Sequence, residues 1–198
     1  MTNKAVFLDR DGVINEIVYH KEMGILDSPA NSSEIRLLPD VGKAINKFKN
    51  LGFKVIIVSN QPGIAKDKFT MDAFEKMKEK IRDELKKQKA SVDAEYYCLH
   101  HPEGKNLDYK VDCDCRKPKP GMILQAAKER DIDLANSWMI GDGVTDIQAG
   151  QAAGCKTILI GRMKCEVCEL LDIKGAEPNF IAPNLFKASL IIEEEERI

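Results

Sequence analysis

The chain has 198 residues, of which 43% are hydrophobic and 31% are charged, and its formal net charge is -2. This composition predicts a soluble protein with one substantial core, organised as a single domain over residues 1–198. The near-neutral charge excludes a broad basic surface for nucleic acid or membranes. No stretch is long enough to span a bilayer, and the first apolar run, Ala5–Leu8, is too short for a signal peptide. We therefore expect a cytoplasmic monomer.

The first half of the chain alternates strand-like and helix-like segments. Ala5–Leu8 predicts a strand, and residues 13–39 show no clear period. Apolar residues at helical spacing over 41–48 predict a helix that ends near Gly52. The β-branched run Phe53–Val58 predicts a buried strand. Thr70 suits the N-cap of the next helix. The apolar stripe of that helix consists of Met71, Phe74, Met77, Ile81 and Leu85.

The second half continues this alternation after a predicted strand at Ala94–Leu99 and a polar, irregular stretch from His100 to Pro120. Helices are predicted at Gly121–Arg130, at Val144–Ala153 and at the end of the chain, with strands at Ser137–Ile140, Lys156–Ile160 and near Asn179–Ala182. Such alternation predicts an α/β fold, a Rossmann-like doubly wound parallel sheet with helices on both faces. The sizeable insertions, 16–38 and 100–118, are too short for a large cap domain.

Polar residues follow several of the predicted strands. Asp9 and Asp11 come directly after the first strand, and Gly12 allows the chain to turn there. Ser59 follows the strand at Phe53, and Asp142 follows the strand at Ser137. Because the carboxyl ends of parallel strands share one edge of the sheet, these side chains are expected to meet in one crevice.

The residue types in this crevice suit phosphoryl transfer. Asp9 and Asp11 suit a metal pair, an acid/base pair, or a nucleophile with a neighbouring acid. With Asp142 they offer oxygen ligands of the kind that Mg²⁺ prefers. Lys117 would add a cation, and the pair Ser59-Asn60 would add hydrogen-bond donors. Taken alone, each element is a common turn or surface residue; their joint order along the chain is what favours an active site.

The chain resembles the haloacid dehalogenase superfamily of phosphotransferases. The four motifs that carry the resemblance are Asp9–Val13, Ser59, Lys117 and Gly141–Asp146. Within the superfamily, the segments DRDGVIN (Asp9–Asn15), SNQPGIA (Ser59–Ala65) and CDCRKPKPGM (Cys113–Met122) are similar to the D-glycero-D-manno-heptose 1,7-bisphosphate phosphatases. The histidinol-phosphate phosphatases share much of this pattern. The resemblance runs from about Lys4 to Gly161.

This resemblance implies a role for each motif residue. Asp9 would attack phosphorus and form an aspartyl-phosphate, and Asp11 would act as general acid and then as general base. Mg²⁺ would be held by Asp9, by the main-chain carbonyl of Asp11 and by Asp142. Ser59 and Lys117 would hold the transferring phosphoryl group. The residues that would contact the rest of the substrate are Asn15, Tyr19, Asn60, Gln61 and Arg116.

Two positions depart from the pattern of the heptose enzymes. Gly143 stands where those enzymes often carry a lysine, which removes a cation beside the metal. Ser59 stands where threonine is frequent, a mild change that keeps the hydroxyl. The first departure puts substrate affinity or preference in question.

Cysteine and histidine residues form a second constellation in the irregular stretch. Cys98-x-His100 and Cys113-x-Cys115 offer three sulfurs and one imidazole, a set that suits structural zinc. Buried thiols beside a surface histidine would be the alternative, but such a loop, at about 98–118, is also typical of the family that the chain resembles. Zinc would order a loop with few apolar residues and thereby fix Arg116 and Lys117. The remaining pair, Cys165-x-x-Cys168, is interpreted as ordinary thiols.

The leading functional hypothesis is a Mg²⁺-dependent phosphatase that removes the C7 phosphate of D-glycero-D-manno-heptose 1,7-bisphosphate. A histidinol-phosphate phosphatase with the same mechanism is the alternative among enzymes. A zinc-stabilised binding module, for example for nucleic acid, is the alternative from another class, and the acids at the sheet edge argue against it.

Overall fold

The computed structural model describes residues 3–21, 24–161 and 174–197. Cys165 and Cys168 lie outside these ranges. The strands are β1 (Lys4–Leu8), β2 (Val18–His20), β3 (Ile25–Asp27), β4 (Phe53–Asn60), β5 (Ala94–Cys98), β6 (Trp138–Gly141), β7 (Lys156–Ile160) and β8 (Phe180–Ala182). The helices are α1 (Val41–Asn50), α2 (Met71–Lys87), α3 (Gly121–Arg130), α4 (Val144–Ala152) and α5 (Leu185–Glu195).

Six parallel strands form the central sheet in the order β5-β4-β1-β6-β7-β8. The chain builds one half of the sheet outward from β1 and then returns to build the other half from β6. The carboxyl ends of β1 and β6 therefore flank the point at which the strand order reverses, which is where open α/β sheets bind ligands. The predicted fold class is confirmed.

Helices cover both faces of this sheet, as alternate residues of β1 show. Val6 and Leu8 belong to a core that includes α1, α2 and α5. Ala5 and Phe7 point to the opposite face, where they pack with residues of α3 and α4. All four side chains are fully buried. Burial on both faces explains the continuous apolar run of β1 and gives the residues after it a rigid support.

Helix α2 begins where its N-cap predicts. The Thr70 hydroxyl accepts a hydrogen bond from the Ala73 amide at 3.2 Å. The predicted apolar stripe is confirmed at its four later positions, Phe74, Met77, Ile81 and Leu85, all of which are buried. It is wrong for Met71, which is 40% exposed because it borders an open groove beside Asn106 and Tyr109.

The segment between β1 and α1 contains a small antiparallel hairpin, β2–β3, that its sequence pattern does not reveal. Tyr19 pairs with Leu26 across the hairpin, and these side chains are 56% and 69% exposed, respectively. No side chain whose burial is described in these two strands is buried, so the alternating pattern of a half-buried strand is missing there. Within the described ranges, none of the helices combines the length and the apolar character needed to cross a bilayer.

Candidate active site

The loop after β1 places Asp9 at the switch point of the sheet. The Asp9 amide donates to the Ile140 carbonyl at 3.0 Å, which ties this loop to β6. Gly12 has a φ of +86°, and a Cβ atom on it would lie 2.0 Å from Oδ2 of Asp142. Only glycine allows the loop to pass so close to that carboxylate.

Three carboxylates converge at this point. Oxygen atoms of Asp9, Asp142 and Asp146 lie within 4.8 Å of one another. Burial and the charges of Asp9 and Asp146 raise the pKa of Asp142 to about 7. A divalent cation among these oxygens would remove the repulsion, and oxygen ligands are the kind that Mg²⁺ prefers. The residues present therefore fit a magnesium ion.

Asp146 is a further candidate site residue, to which its motif alone assigned no role; it lies with Asp9 and Asp142 and lines the pocket. It lies in the first turn of α4, where its Oδ2 accepts a hydrogen bond from the Gly143 amide at 3.0 Å. Burial raises its pKa to about 6, against the influence of the Lys117 ammonium. The sequence contained a signal for this residue. Asp146 follows Asp142 by four residues and lies in the first turn of a predicted helix, so it is expected to face the same edge of the sheet.

Lys117 is the cation of this site, and it is almost completely buried. Its ammonium lies 2.9 Å from Oδ1 of Asp9 and 2.5 Å from Oδ1 of Asp146, and it donates to the Val58 carbonyl at 2.8 Å. Burial would lower its pKa, but the two carboxylates outweigh burial and raise it. The Asn60 side chain holds the Lys117 backbone through two hydrogen bonds of 3.0 Å, one to its carbonyl and one from its amide. The lysine is thus a fixed positive charge beside Asp9.

The Asp11 carboxylate accepts hydrogen bonds from three side chains. Arg10 donates to both oxygens at 3.0 Å, Asn15 donates to Oδ1 at 2.8 Å, and Gln61 donates to Oδ2 at 2.7 Å. Burial would raise the pKa of Asp11, but Arg10 and the two amides hold it below its ordinary value of 3.8. Gln61 also donates to the Ser59 hydroxyl at 3.2 Å, which links Asp11 to the end of β4.

An open pocket of about 340 Å³ lies above these residues. Its lining includes the predicted residues Asp9, Asp11, Ser59, Asn60, Lys117 and Asp142, together with Asp146. The hairpin contributes Leu26 and Asp27 to the rim.

Four predicted substrate contacts have other surroundings. Asn15 and Gln61 are buried and face Asp11. Arg116 donates to the His100 carbonyl at 3.2 Å. Tyr19 is exposed on the hairpin.

The predicted zinc ligands also come together. The Cys113 sulfur lies 3.5 Å from that of Cys98 and 3.1 Å from that of Cys115. Nδ1 of His100 lies 3.4 Å from the Cys115 sulfur and 3.9 Å from the Cys98 sulfur. Sulfur atoms bound to one tetrahedral zinc are roughly 3.8 Å apart, so these four atoms fit a structural zinc.

A small basic cluster, consisting of Lys66, His101 and Arg116, lies where the zinc loop approaches the loop after β4. Burial and the charges of Lys66 and Arg116 lower the pKa of His101. The zinc loop is joined to Ala65 by two backbone hydrogen bonds, from Lys105 at 2.6 Å and from Asn106 at 3.0 Å. Cations are therefore available on the zinc-loop side of the site.

Comparisons with known proteins match the fold of the chain and show its family. The HAD-hydrolase-like family profile matches residues 114–188. The chain is 42% identical over 161 residues to D-glycero-beta-D-manno-heptose-1,7-bisphosphate 7-phosphatase of Haemophilus influenzae, a match that covers 81% of this chain and 82% of the relative. The chain belongs to the heptose-bisphosphate phosphatase family of HAD-like hydrolases.

Other members of this family support the same assignment. The Escherichia coli K12 enzyme of the same name is 40% identical over 158 residues, covering 80% of this chain and 78% of the relative. The D,D-heptose 1,7-bisphosphate phosphatase of B. bronchiseptica, solved in complex with magnesium and phosphate, superposes with a TM-score of 0.78 at 28% identity. That match covers 97% of this chain and 99% of the other.

Proposed function

We propose that the chain is a phosphatase that uses Asp9 as its nucleophile. The observation that carries this proposal is the placement of the Asp9 carboxylate at the end of β1, beside Lys117 at 2.9 Å and among the Asp142 and Asp146 oxygens. A carboxylate in an open pocket beside a fixed cation is suited to attack phosphorus in line.

Mg²⁺ is the metal that we propose for the three-carboxylate cluster. Asp9, Asp142 and Asp146 are within reach of one ion, and the main-chain carbonyl of Asp11 is proposed as a further ligand. Bound there, Mg²⁺ would offset the negative charge of the carboxylates and of the phosphate. The raised pKa of Asp142 supports this proposal, because burial and the neighbouring charges of Asp9 and Asp146 both disfavour its ionised form, which a cation would stabilise.

Asp11 is proposed to move the protons. In the first half-reaction the Asp9–phosphorus bond forms, the bond from phosphorus to the sugar oxygen breaks, and the Asp11 carboxyl gives its proton to that oxygen. In the second, water attacks phosphorus, the Asp11 carboxylate takes a water proton, and the Asp9 carboxylate leaves. The four hydrogen bonds that the Asp11 carboxylate accepts keep it ionised in the resting site, which is the protonation state that the second step requires.

The proposed substrate is D-glycero-D-manno-heptose 1,7-bisphosphate, cleaved at C7. The names and identities of the relatives support this choice. A bisphosphate also needs a second cationic contact outside the reaction centre, and Lys66 and Arg116, the two cations of the basic cluster, are suited to supply one. Ser59 and Lys117 are proposed to hold the phosphate that reacts.

Zinc is proposed as a structural ion held by Cys98, His100, Cys113 and Cys115. The four ligand atoms fill a tetrahedral set, which leaves no position for substrate. We also propose a single domain, a monomeric state and a cytoplasmic location. Zinc-binding Cys98, Cys113 and Cys115, together with a Cys155 that forms no disulfide, are consistent with a reducing compartment.

The decisive experiment is Asp9→Asn. This variant is expected to release no phosphate from heptose bisphosphate while keeping its circular dichroism spectrum and its zinc. Asp131→Asn, on the exposed C-cap of α3, is the matched control and should retain full activity. Phosphate release that survives in the Asp9 variant would overturn the proposed nucleophile.

A substrate panel tests the choice of sugar. It contains both anomers of the heptose bisphosphate, fructose 1,6-bisphosphate and histidinol phosphate. We expect the highest kcat/KM for a heptose bisphosphate. A preference for histidinol phosphate would leave the mechanism intact and replace the substrate.

A further inference from the structure

Arg10 lies between the two acids that lead the first motif, and its burial is unusual for an arginine. Its side chain is fully buried, which makes it one of the largest side chains inside the molecule. A guanidinium is almost never removed from water without a partner, because the loss of hydration is costly. The position therefore calls for an explanation beyond general stability.

The contacts of Arg10 are directed at one carboxylate. Its Nε donates to Oδ1 of Asp11 and its Nη2 donates to Oδ2, both at 3.0 Å. Its Nη1 has no hydrogen-bond partner among the described residues. The planar guanidinium thus makes a two-point contact, which fixes the orientation of a carboxyl group as well as its position.

Two amides complete this arrangement from different parts of the chain. Asn15 approaches Oδ1 from the same loop, and Gln61 approaches Oδ2 from the segment after β4. Each oxygen of Asp11 therefore accepts two hydrogen bonds. Because Gln61 also contacts the Ser59 hydroxyl, the orientation of Asp11 is linked to a residue that lines the pocket.

We propose that Arg10 is a positioning residue that aims the Asp11 carboxyl group at the proton it must give and then take. This inference rests on the proposed role of Asp11. Because each Asp11 oxygen accepts two N–H donors in the resting site, one amide contact must open before Asp11 can carry a proton. In the first step that O–H bond then breaks as the proton moves to the departing sugar oxygen. In the second step the proton returns from the attacking water to Asp11. Arg10 is fully buried and lies outside the pocket lining, so it acts through its neighbour Asp11.

Two substrates with different leaving groups separate this role from a merely structural one. A sugar alkoxide needs a proton in order to leave, whereas p-nitrophenolate leaves without one. We expect Arg10→Lys, which keeps the charge and loses the two-point contact, to lower kcat for the sugar bisphosphate by roughly 100-fold with little change in KM. Its p-nitrophenolate burst, measured by rapid mixing with p-nitrophenyl phosphate, should change less than about threefold, since that step needs no acid.

Asp11→Asn separates a failure of this inference from a failure of the proposed function. If Asp11→Asn lowers kcat for the sugar bisphosphate but leaves the burst rate unchanged, Asp11 is the acid. In that case, an Arg10→Lys variant that lowers both rates equally, or neither, would overturn the role of Arg10. If Asp11→Asn slows both equally, the proposed role of Asp11 fails. Arg82→Lys is the matched control, because Arg82 forms a similar two-point contact with Glu95, at 2.7 and 2.9 Å, on the surface.

A double variant keeps the test decisive if Arg10→Lys does not fold. Arg10→Met/Asp11→Asn removes both buried charges together and leaves neither unpaired. Its kcat for the sugar bisphosphate should equal that of Asp11→Asn alone, because a residue that acts only through Asp11 has nothing left to position. A further fall of tenfold or more relative to Asp11→Asn would overturn the proposal.

Discussion

The acidic cluster at the sheet edge and the cysteine–histidine cluster of the zinc loop both fit a metal, but they are supported in different ways. Asp9 and Asp142 follow buried strands of the central sheet. Cys113 and Cys115 lie in a loop whose neighbours are mostly polar and partly exposed. Strands buried on both faces hold their ends in place without a metal, whereas a polar loop has little hydrophobic burial to order it. We infer that a metal in the acidic cluster would serve chemistry on strand ends that are already rigid. A metal in the cysteine–histidine cluster would instead complete the fold of its loop.

Lys117 is the residue at which the two regions meet, because it belongs to the end of the zinc loop and lies inside the acidic cluster. It is held from both sides. Asn60 clamps its backbone to the end of β4, and its ammonium contacts Asp9 and Asp146. The side chain of Arg116, the preceding residue, donates to the His100 carbonyl on the zinc loop. Disturbing the loop should therefore affect Arg116 more than Lys117.

The largest effect is expected at Gly12, where a substitution would displace the loop after β1 that carries Asp9. Gly12→Ala would place a methyl group 2.0 Å from the Asp142 carboxylate, at a φ of +86°. Since a displacement of about 1 Å at a reacting centre costs roughly 100-fold in rate, we expect kcat/KM to fall by at least that factor. Zinc content should not change.

Gly52→Ala is the matched control for this variant. Gly52 has nearly the same φ, +84°, but a Cβ there meets nothing within 4 Å. The positive φ strains the backbone equally in both variants, so the difference between their activities reports the collision with Asp142 alone. Equal activities in phosphatase assays would contradict our account of the loop.

Much of this site was predictable because its signals are local in sequence. A buried apolar run followed by Asp9, Asp11 and Gly12 predicts a strand and a tight turn, and the structure has both. The Thr70 cap likewise marks the start of α2. Signals of this kind depend on neighbours a few residues away, and periodicity reveals them.

The parts that were not predicted depend on partners far apart in the chain. The sequence around Arg10, a charge between two acids, gives no sign that this side chain is fully buried. Gln61 meets Asp11 across 50 residues of sequence. The hairpin β2–β3 has no periodic signal, because Leu26 and Tyr19 are both exposed. Tertiary proximity, rather than local propensity, fixes each of these features.

An intermediate effect is expected when the zinc loop is disturbed. Cys113→Ser should lose zinc and become sensitive to protease between residues 100 and 118, while the central sheet persists. Because Asn60 still clamps Lys117, the loss of kcat/KM for the bisphosphate should stay below about 100-fold and appear mainly in KM. Zinc analysis, limited proteolysis and steady-state kinetics measure these three outcomes.

Cys155→Ala supplies the control for the loss of a thiol. Cys155 is a buried free cysteine outside the zinc cluster, so this variant should keep its zinc and its protease resistance. If Cys113→Ser abolished kcat as Asp9→Asn is expected to do, the zinc loop would be part of the rigid support of the active site and the contrast between the two regions would fail.

The smallest effect is expected at Gly143, where a substitution would add a cation to the sheet-edge side of the pocket. Gly143 lines the pocket in an extended conformation, and a Cβ there comes no closer than 3.2 Å to Oδ2 of Asp146. Gly143→Lys should therefore fold and add a positive charge to a lining in which acids outnumber the single cation, Lys117. An exposed charge pair is worth about 0.2–1 kcal/mol, so KM for the bisphosphate should fall by roughly 1.5- to 5-fold, with kcat unchanged.

Gly143→Met is the uncharged control for this prediction. The decrease in KM for Gly143→Lys should become smaller at high salt, because mobile ions screen the added charge. A salt-independent change shared by both variants would instead show that side-chain bulk, and not charge, governs affinity at this edge.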